Sequence, residues 1–383
     1  MKKTISETFE NFFHESPQAI GQAPGRIEFI GNHTDYNGGF VMGVAIDKTI
    51  VCTVCKRADR QLCFGNANSG ETVFVDMDKI ERQADEHNWA NYPLGVFKFL
   101  LQAGLKAGTG FNLIDHSTLP SGAGLSSSAA IELSSAFALA KLYDFQTDRK
   151  TLVKIGRKSE NEFVGVPSGI LDQGVSGFGK ADTVVFIDCL KEEFSNYPLP
   201  HDCKFWLFNS TKKHALVDGL YAARHDECTQ AAQILSQGGP SRLLCAFTQE
   251  DLQTAQPKMT ATVYKRARHV IEENARVLQA RNLLLSGDIA GVGQLLYASH
   301  ESSKTLFENS TPELDFLVDE AKKHPNIHGA RLSGGGFGGA VMALTDASFN
   351  ETQAQQIAAA YATHFGAPPA ILTCASGDGA KTV

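Results

Sequence analysis

Apolar residues recur every three or four positions from Ser126 to about Leu142, with Ala130, Leu133, Phe137 and Ala140 on one side, so the pattern predicts a helix. A second helix is expected over 92–105, where Val96, Phe97, Phe99, Leu100 and Leu101 form the apolar side. Residues 40–55 are rich in Val and Ile and read as a β segment. Residues 111–114 are a short apolar run, and Thr183 to Ile187 reads as a buried strand. Residues 191–203 carry charges together with Pro198 and Pro200, and read as an inter-domain connection. Beyond it a strand is expected from Lys204 to Phe208, helices over about 214–236, 262–283 and 312–323, and strands at Ala340–Leu344 and Ala370–Cys374. The order mixes α and β without strict alternation, and shows no repeats.

The chain has 383 residues, too many for one ordinary core, so two domains are expected. The net charge is −7 and no long Lys/Arg block occurs, which argues against a nucleic-acid partner. The N-terminus lacks the apolar centre of an export signal, and no run is long enough to span a membrane. A cytoplasmic location is therefore expected. Eight cysteines are spread along the chain. Cys52 and Cys55 form a C-x-x-C inside an apolar segment with no second pair at zinc spacing, so buried thiols are expected rather than a metal or redox site.

The small-residue stretch Pro120-Ser121-Gly122-Ala123-Gly124-Leu125-Ser126-Ser127-Ser128 runs straight into the helix that starts near Ser126. Glycines let a backbone approach a ligand closely, and free N–H groups at a helix start attract anions. A nucleotide phosphate is the natural occupant. The chain has no G-x-x-x-x-G-K-[ST]. The glycines Gly334, Gly336 and Gly339 match a dinucleotide fingerprint in letters only, because a strand-like stretch and not a helix follows them. A tight turn is the expectation there.

At this point the residues carry a resemblance. The 120–130 loop resembles the phosphate-binding motif of the kinase family that includes galactokinase, homoserine kinase, mevalonate kinase and phosphomevalonate kinase. Gly25-Arg26-Ile27-Glu28-Phe29-Ile30-Gly31-Asn32-His33-Thr34-Asp35-Tyr36-Asn37-Gly38-Gly39 is similar to the galactokinase signature, written G-R-x-N-x-I-G-E-H-T-D-Y-N-x-G. Trp89, Asn91, Tyr92, Gly95 and Val96 are similar to a further segment of that group, as is Gly165 to Gln173. Asn209-Ser210, Tyr221, Arg224, Glu227, Cys228, Ser299-His300, Pro312 to Asp315 and the 331–339 glycine loop continue the likeness in order.

The resemblance implies an α+β fold of two domains. An N-terminal domain like ribosomal protein S5 domain 2 (residues 1–198) carries the sugar signature and phosphate loop. A ferredoxin-like C-terminal domain (199–383) carries the glycine loop 333–339, with the active site in the cleft between them. It implies transfer of the γ-phosphoryl group of ATP to the anomeric hydroxyl of galactose. The ATP phosphates are expected on Gly122, Ala123, Gly124, Leu125, Ser126, Ser127 and Ser128, and Mg²⁺ on Ser128 and Glu160, both hard oxygen donors. Asp172 is the expected catalytic base with Arg26 as its partner. Asn32, His33, Asp35 and Tyr221 are the expected sugar-binding residues, and a monomer is the expected state.

Several positions depart from that pattern. Asn32 stands where the family has the Glu that contacts the outer hydroxyls near C6, and Glu28 stands where it has Asn. The two residue types are thus exchanged. A neutral residue at 32 would tolerate a uronate, whereas the Glu28 carboxylate nearby would restore the missing charge. Ala222 and His225 replace Asn and Arg, and Ser168 replaces Cys. Phosphorylation of a related sugar (galacturonate, N-acetylgalactosamine or arabinose), or a catalytically silent sugar sensor, therefore stay open.

Overall fold

A computed structural model describes residues 2–120, 124–213 and 217–383. The first half runs α1 (Lys2–Phe13), β1 (Ala19–Ile30), β2 (Phe40–Lys56), β3 (Gln61–Asn66), β4 (Thr72–Asp76), α2 (Asn91–Gln102), β5 (Phe111–Ser117) and α3 (Ser127–Leu142). It continues with α4 (Arg149–Lys158), α5 (Leu171–Phe178), β6 (Thr183–Asp188) and β7 (Glu193–Pro198). The second half runs β8 (Lys204–Lys213), α6 (Val217–Leu235), α7 (Gln249–Ala255), α8 (Ala261–Ser286), α9 (Ile289–Ser302) and α10 (Pro312–Ala321). It ends with β9 (Ile327–Ser333), β10 (Gly338–Thr345), α11 (Glu351–Phe365), β11 (Ala370–Cys374) and β12 (Lys381–Thr382).

One sheet has the order β12-β1-β2-β5-β3-β4, with β6 and β7 added beside β2. Its pairs are antiparallel except β3 with β5. The helix α3 lies across it and is buried almost all round, including Glu132, Ser134 and Ser135. This helix is a core element and not a surface helix with one apolar stripe. Its approach to β1 is very close. A Cβ on Gly21 would lie 2.0 Å from the Ser134 carbonyl oxygen, so only glycine fits.

The second sheet is wholly antiparallel with the order β11-β8-β10-β9. That order, with helices packed on one side, is the ferredoxin-like arrangement. The 333–339 loop is the turn of the β9–β10 hairpin, which accounts for its glycines without any dinucleotide. Gly334, Gly336, Gly338 and Gly339 all take positive φ there.

Two expectations need correction. Residues 193–198 are not a loose connection but the strand β7, paired along its length with β6. Pro198 is tolerated because β7 is an edge strand and the proline closes it. The chain's last strand also returns across the molecule, pairing Gly21 with Thr382 and Gln22 with Lys381, so 381–382 belong to the first sheet. Cys52 and Cys55 are buried free thiols, and burial pushes the Cys55 thiol up to about 12. Among the described residues no helix is long and apolar enough to cross a membrane.

Candidate active site

Strand β1 delivers two side chains to one cleft. Arg26 and Glu28 are two residues apart in a regular stretch of pairing with β2, so they point to the same face. Arg26 Nε donates to Asp172 Oδ1 at 2.7 Å, and Arg26 Nη1 donates to the Gly124 carbonyl at 2.9 Å. Asp172 comes from the first turn of α5, where the positive helix end favours a carboxylate. Its other oxygen accepts from the Ser126 hydroxyl at the start of α3. Ser126 itself sits in left-handed backbone, φ 53°, as the residue that caps this helix. The guanidinium is buried, and Asp172 beside it reinforces its charge.

A cavity of about 620 Å³ opens beside this pair. It is lined by Arg26, Asp172, Asn32, His33, Asp35 and Tyr221, and also by Glu28 and Glu160. Ser126, Ser127, Ser128, Gly124 and Leu125 are not part of its lining; the described part of the phosphate loop abuts its Arg26–Asp172 end. Gly122 and Ala123 lie outside the described residues. The fold thus brings together the expected catalytic pair and all four expected sugar-binding residues, which span 195 positions between Arg26 and Tyr221 in the chain.

The four sugar-side residues are not equivalent. The Asp35 carboxyl is met by the backbone N–H of Tyr36, and burial raises it to about 7. Gly169 leaves room for it: a Cβ there would fall 1.7 Å from Asp35 Oδ2. Tyr221 keeps its proton, because burial and nearby carboxylates push the phenol up. His33 is held in left-handed backbone, φ 61°, and both ring nitrogens are occupied by protein. Nε2 lies 3.0 Å from the Gly335 carbonyl, which can only accept, so Nε2 carries the proton and Nδ1 accepts from Tyr36 Oη at 2.8 Å. Burial lowers its pKa to about 3, so the ring is neutral. Its face lies against Phe307 at 4.4 Å and Tyr221 at 5.1 Å between centroids.

Asn32 is 1% exposed. Its amide donates to Glu28 Oε1 and to the Gly334 carbonyl, both at 2.9 Å, and its Oδ1 accepts from Asn309 at 2.8 Å and from Ser303 at 3.4 Å. The exchange between positions 28 and 32 therefore keeps a carboxylate and an amide in mutual contact.

Glu160 lies on a π-helical turn, Ser159–Val164, that continues α4. Its Oε2 accepts from Ser168 at 2.8 Å and from Gln173 at 2.7 Å, and Ser128 also hydrogen-bonds it. The serine at 168 thus has a definite task. Ser128 and Glu160 suit a hard cation that keeps further positions for phosphate and water. Among the described residues no group of three or more His, Cys, Asp or Glu is arranged to hold a metal by itself, the His33–Asp35 pair included.

Sequence reasoning missed the residues that hold this site from behind. Glu273 on α8 accepts from the backbone N–H groups of Gly31 (3.0 Å) and Asn32 (3.2 Å) and from Ser299 (2.6 Å). Arg276 and other cations hold its carboxyl down at about 2 despite complete burial. Arg331 on β9, 0% exposed, donates to Glu28 Oε1 at 3.1 Å. Glu273 sits in a helix full of charges and reads there as one more solvated carboxylate.

Comparison with known proteins agrees with this geometry. Residues 7–56 match the galactokinase galactose-binding signature, 91–180 the GHMP kinases N terminal domain, and 280–367 the GHMP kinases C terminal domain. A galactokinase of Exiguobacterium sibiricum is 36% identical over 384 residues, covering 100% of this chain and 98% of the relative. The chain belongs to the galactokinase family. A Thermotoga neapolitana galactokinase is 38% identical over 94% of this chain and 99% of its own length. The crystal structure of Lactococcus lactis galactokinase complexed with galactose superposes with a TM-score of 0.94, at 31% identity and full coverage of both chains. Mevalonate kinase of Methanococcus jannaschii, 19% identical over 95% of this chain and 99% of its own, shares the fold with a TM-score of 0.64. As a member of the galactokinase family the chain is an ATP-dependent sugar kinase.

Proposed function

We propose that this galactokinase-family chain transfers the γ-phosphoryl group of ATP to the anomeric hydroxyl of galactose, giving galactose 1-phosphate and ADP. One observation carries the reading: the Arg26–Asp172 ion pair stands at the junction of the cavity and the start of α3. That is where a sugar hydroxyl and a phosphate chain resting on the 122–128 loop would meet. Phosphoryl transfer needs chiefly such positioning and charge stabilisation.

Asp172 accepts the proton of the anomeric hydroxyl as that oxygen bonds to the γ-phosphorus and the bond to the ADP oxygen breaks. Arg26 holds Asp172 in place before the step and offsets negative charge during it. Asp35 accepts hydroxyl hydrogens of the sugar, and Tyr221 closes the same wall. Ser128 and Glu160 would hold Mg²⁺, which when bound supplies neutralisation of phosphate charge.

The test is ADP release, measured by a coupled assay over hexoses, pentoses, N-acetylhexosamines and uronic acids. Galactose is expected to give the highest kcat/KM. Faster turnover of galacturonate would overturn the substrate assignment, and sugar binding without any turnover would identify a sensor.

A further inference from the structure

Glu28 occupies a position in the cavity that the catalytic pair does not use. Its Oε1 accepts from Asn32 and from Arg331, which uses both lone pairs of that oxygen. Its Oε2 accepts from no described residue, yet is not sealed inside the protein, and Glu28 lines the cavity. Asn32 is the reverse case. Its two N–H groups and its oxygen's two acceptor positions are all engaged by protein, so it has nothing left to offer a ligand.

Distance along the strand says which end of a sugar Glu28 can reach. Arg26 marks the reacting end, through its bond to Asp172. Glu28 lies two residues further along the same face of β1, about 7 Å on. A pyranose ring with its hydroxyls spans that gap. The carboxylate is also fixed before any ligand arrives. Arg331 grips Oε1 and additionally donates to the carbonyls of Glu28 and Phe29, while Ser333 Oγ accepts from the Glu28 N–H at 3.2 Å.

We propose that Glu28 is a substrate-binding residue whose free Oε2 accepts a hydroxyl at C4 or C6 of the sugar, and that Asn32 acts only as the brace that orients it. The proposal rests on the reading of Asp172 as the reacting end. It places the specificity-determining charge at position 28, where a carboxylate accepts a hydroxyl but repels the carboxylate of a uronate. Galactose is thereby preferred over galacturonate although position 32 is neutral.

Calorimetric titration of galactose, 2-deoxygalactose, 4-deoxygalactose and 6-deoxygalactose into the wild-type protein and Glu28→Gln tests it. The Gln keeps the acceptor that Asn32 and Arg331 grip. Galactose and 2-deoxygalactose should each bind about 10- to 100-fold more weakly to the variant, as expected for loss of a charged acceptor. One of the other two sugars, lacking the hydroxyl that Glu28 receives, should lose less than about threefold. The proposal is overturned if galactose binds Glu28→Gln within threefold of wild type, or if all four sugars lose affinity equally. Should Glu28→Gln melt earlier than wild type, Glu28→Asp, which keeps the charge beside Arg331 and shortens its reach, must give the same sugar-by-sugar pattern or the proposal falls. Wild-type turnover of galactose is measured in parallel. If it is absent the kinase reading fails, while the binding series still decides the role of Glu28.

Discussion

The two ends of the cavity are built differently. The reacting end is assembled by one sheet and its helices: Arg26 from β1, Asp172 from α5, and Gly124 and Ser126 at the start of α3. The sugar end is shared. Its signature loop leans on Glu273 from α8, itself held by Ser299 from α9, on Asn309, and on the Gly334 and Gly335 carbonyls of the β9–β10 turn. The contacts around Arg26 and Asp172 thus stay within the first sheet and its helices, whereas the signature loop is held by residues of the second half. Substitutions at the first end should act on the chemical step, and those at the second on sugar affinity and stability together.

The largest effect separates the two ends most sharply. Asp172→Ala should lower kcat by about 10³-fold, the scale of a lost general base, while the protein still folds. Steady-state ADP production and thermal denaturation check it; near-normal kcat would remove Asp172 from its role.

Glu273→Ala tests the other end without touching the cavity. It strands two backbone N–H groups and the Arg276 charge, and should cost about 3 kcal/mol of stability in denaturant unfolding. Because the folded pKa is depressed to about 2, the wild-type contribution is present above the unfolded carboxylate value and fades only as pH falls toward 2. ATP affinity should persist while galactose affinity falls; equal losses for both would erase the contrast between the ends.

The smallest effect is a pH dependence. Asp35 is raised to about 7 by burial, so it is ionised above that value and neutral below it. If hydroxyl hydrogens are its partners, KM for galactose should rise on the order of tenfold between pH 8 and pH 6. Asp35→Asn should flatten that profile while raising KM throughout. A wild-type KM independent of pH over this range would count against Asp35 as a sugar acceptor.

Much of this was legible in the chain. The helical period from 126 to 142 and the β-rich run from 40 to 55 correspond to α3 and β2 within a residue or two, because both segments are long and strongly patterned. The segment 191–203 misled because prolines and charges are as much at home in an edge strand as in a linker. α6 starts at Val217 within the stretch 214–236, whose first three residues lie outside the described ones. The resemblance singles out Arg26, Asp172 and Glu160, and the fold brings all three to one cavity. Glu273, Arg331 and Asn309 carried no signal, since a charge in a helix or a polar residue beside a turn looks solvated until something packs over it.

The sequence by itself determined the family, the glycine-rich stretch ahead of α3 and the residue types of the Arg26–Asp172 pair, because these are local: a motif of fixed spacing, a helix start, a positive φ. Tertiary structure alone decided what Asn32 does. Its amide is consumed by Glu28, Gly334, Asn309 and Ser303, partners up to 302 residues away. Whether a polar side chain reads a ligand or braces a neighbour depends on which of its lone pairs and hydrogens remain free once the domains close around it.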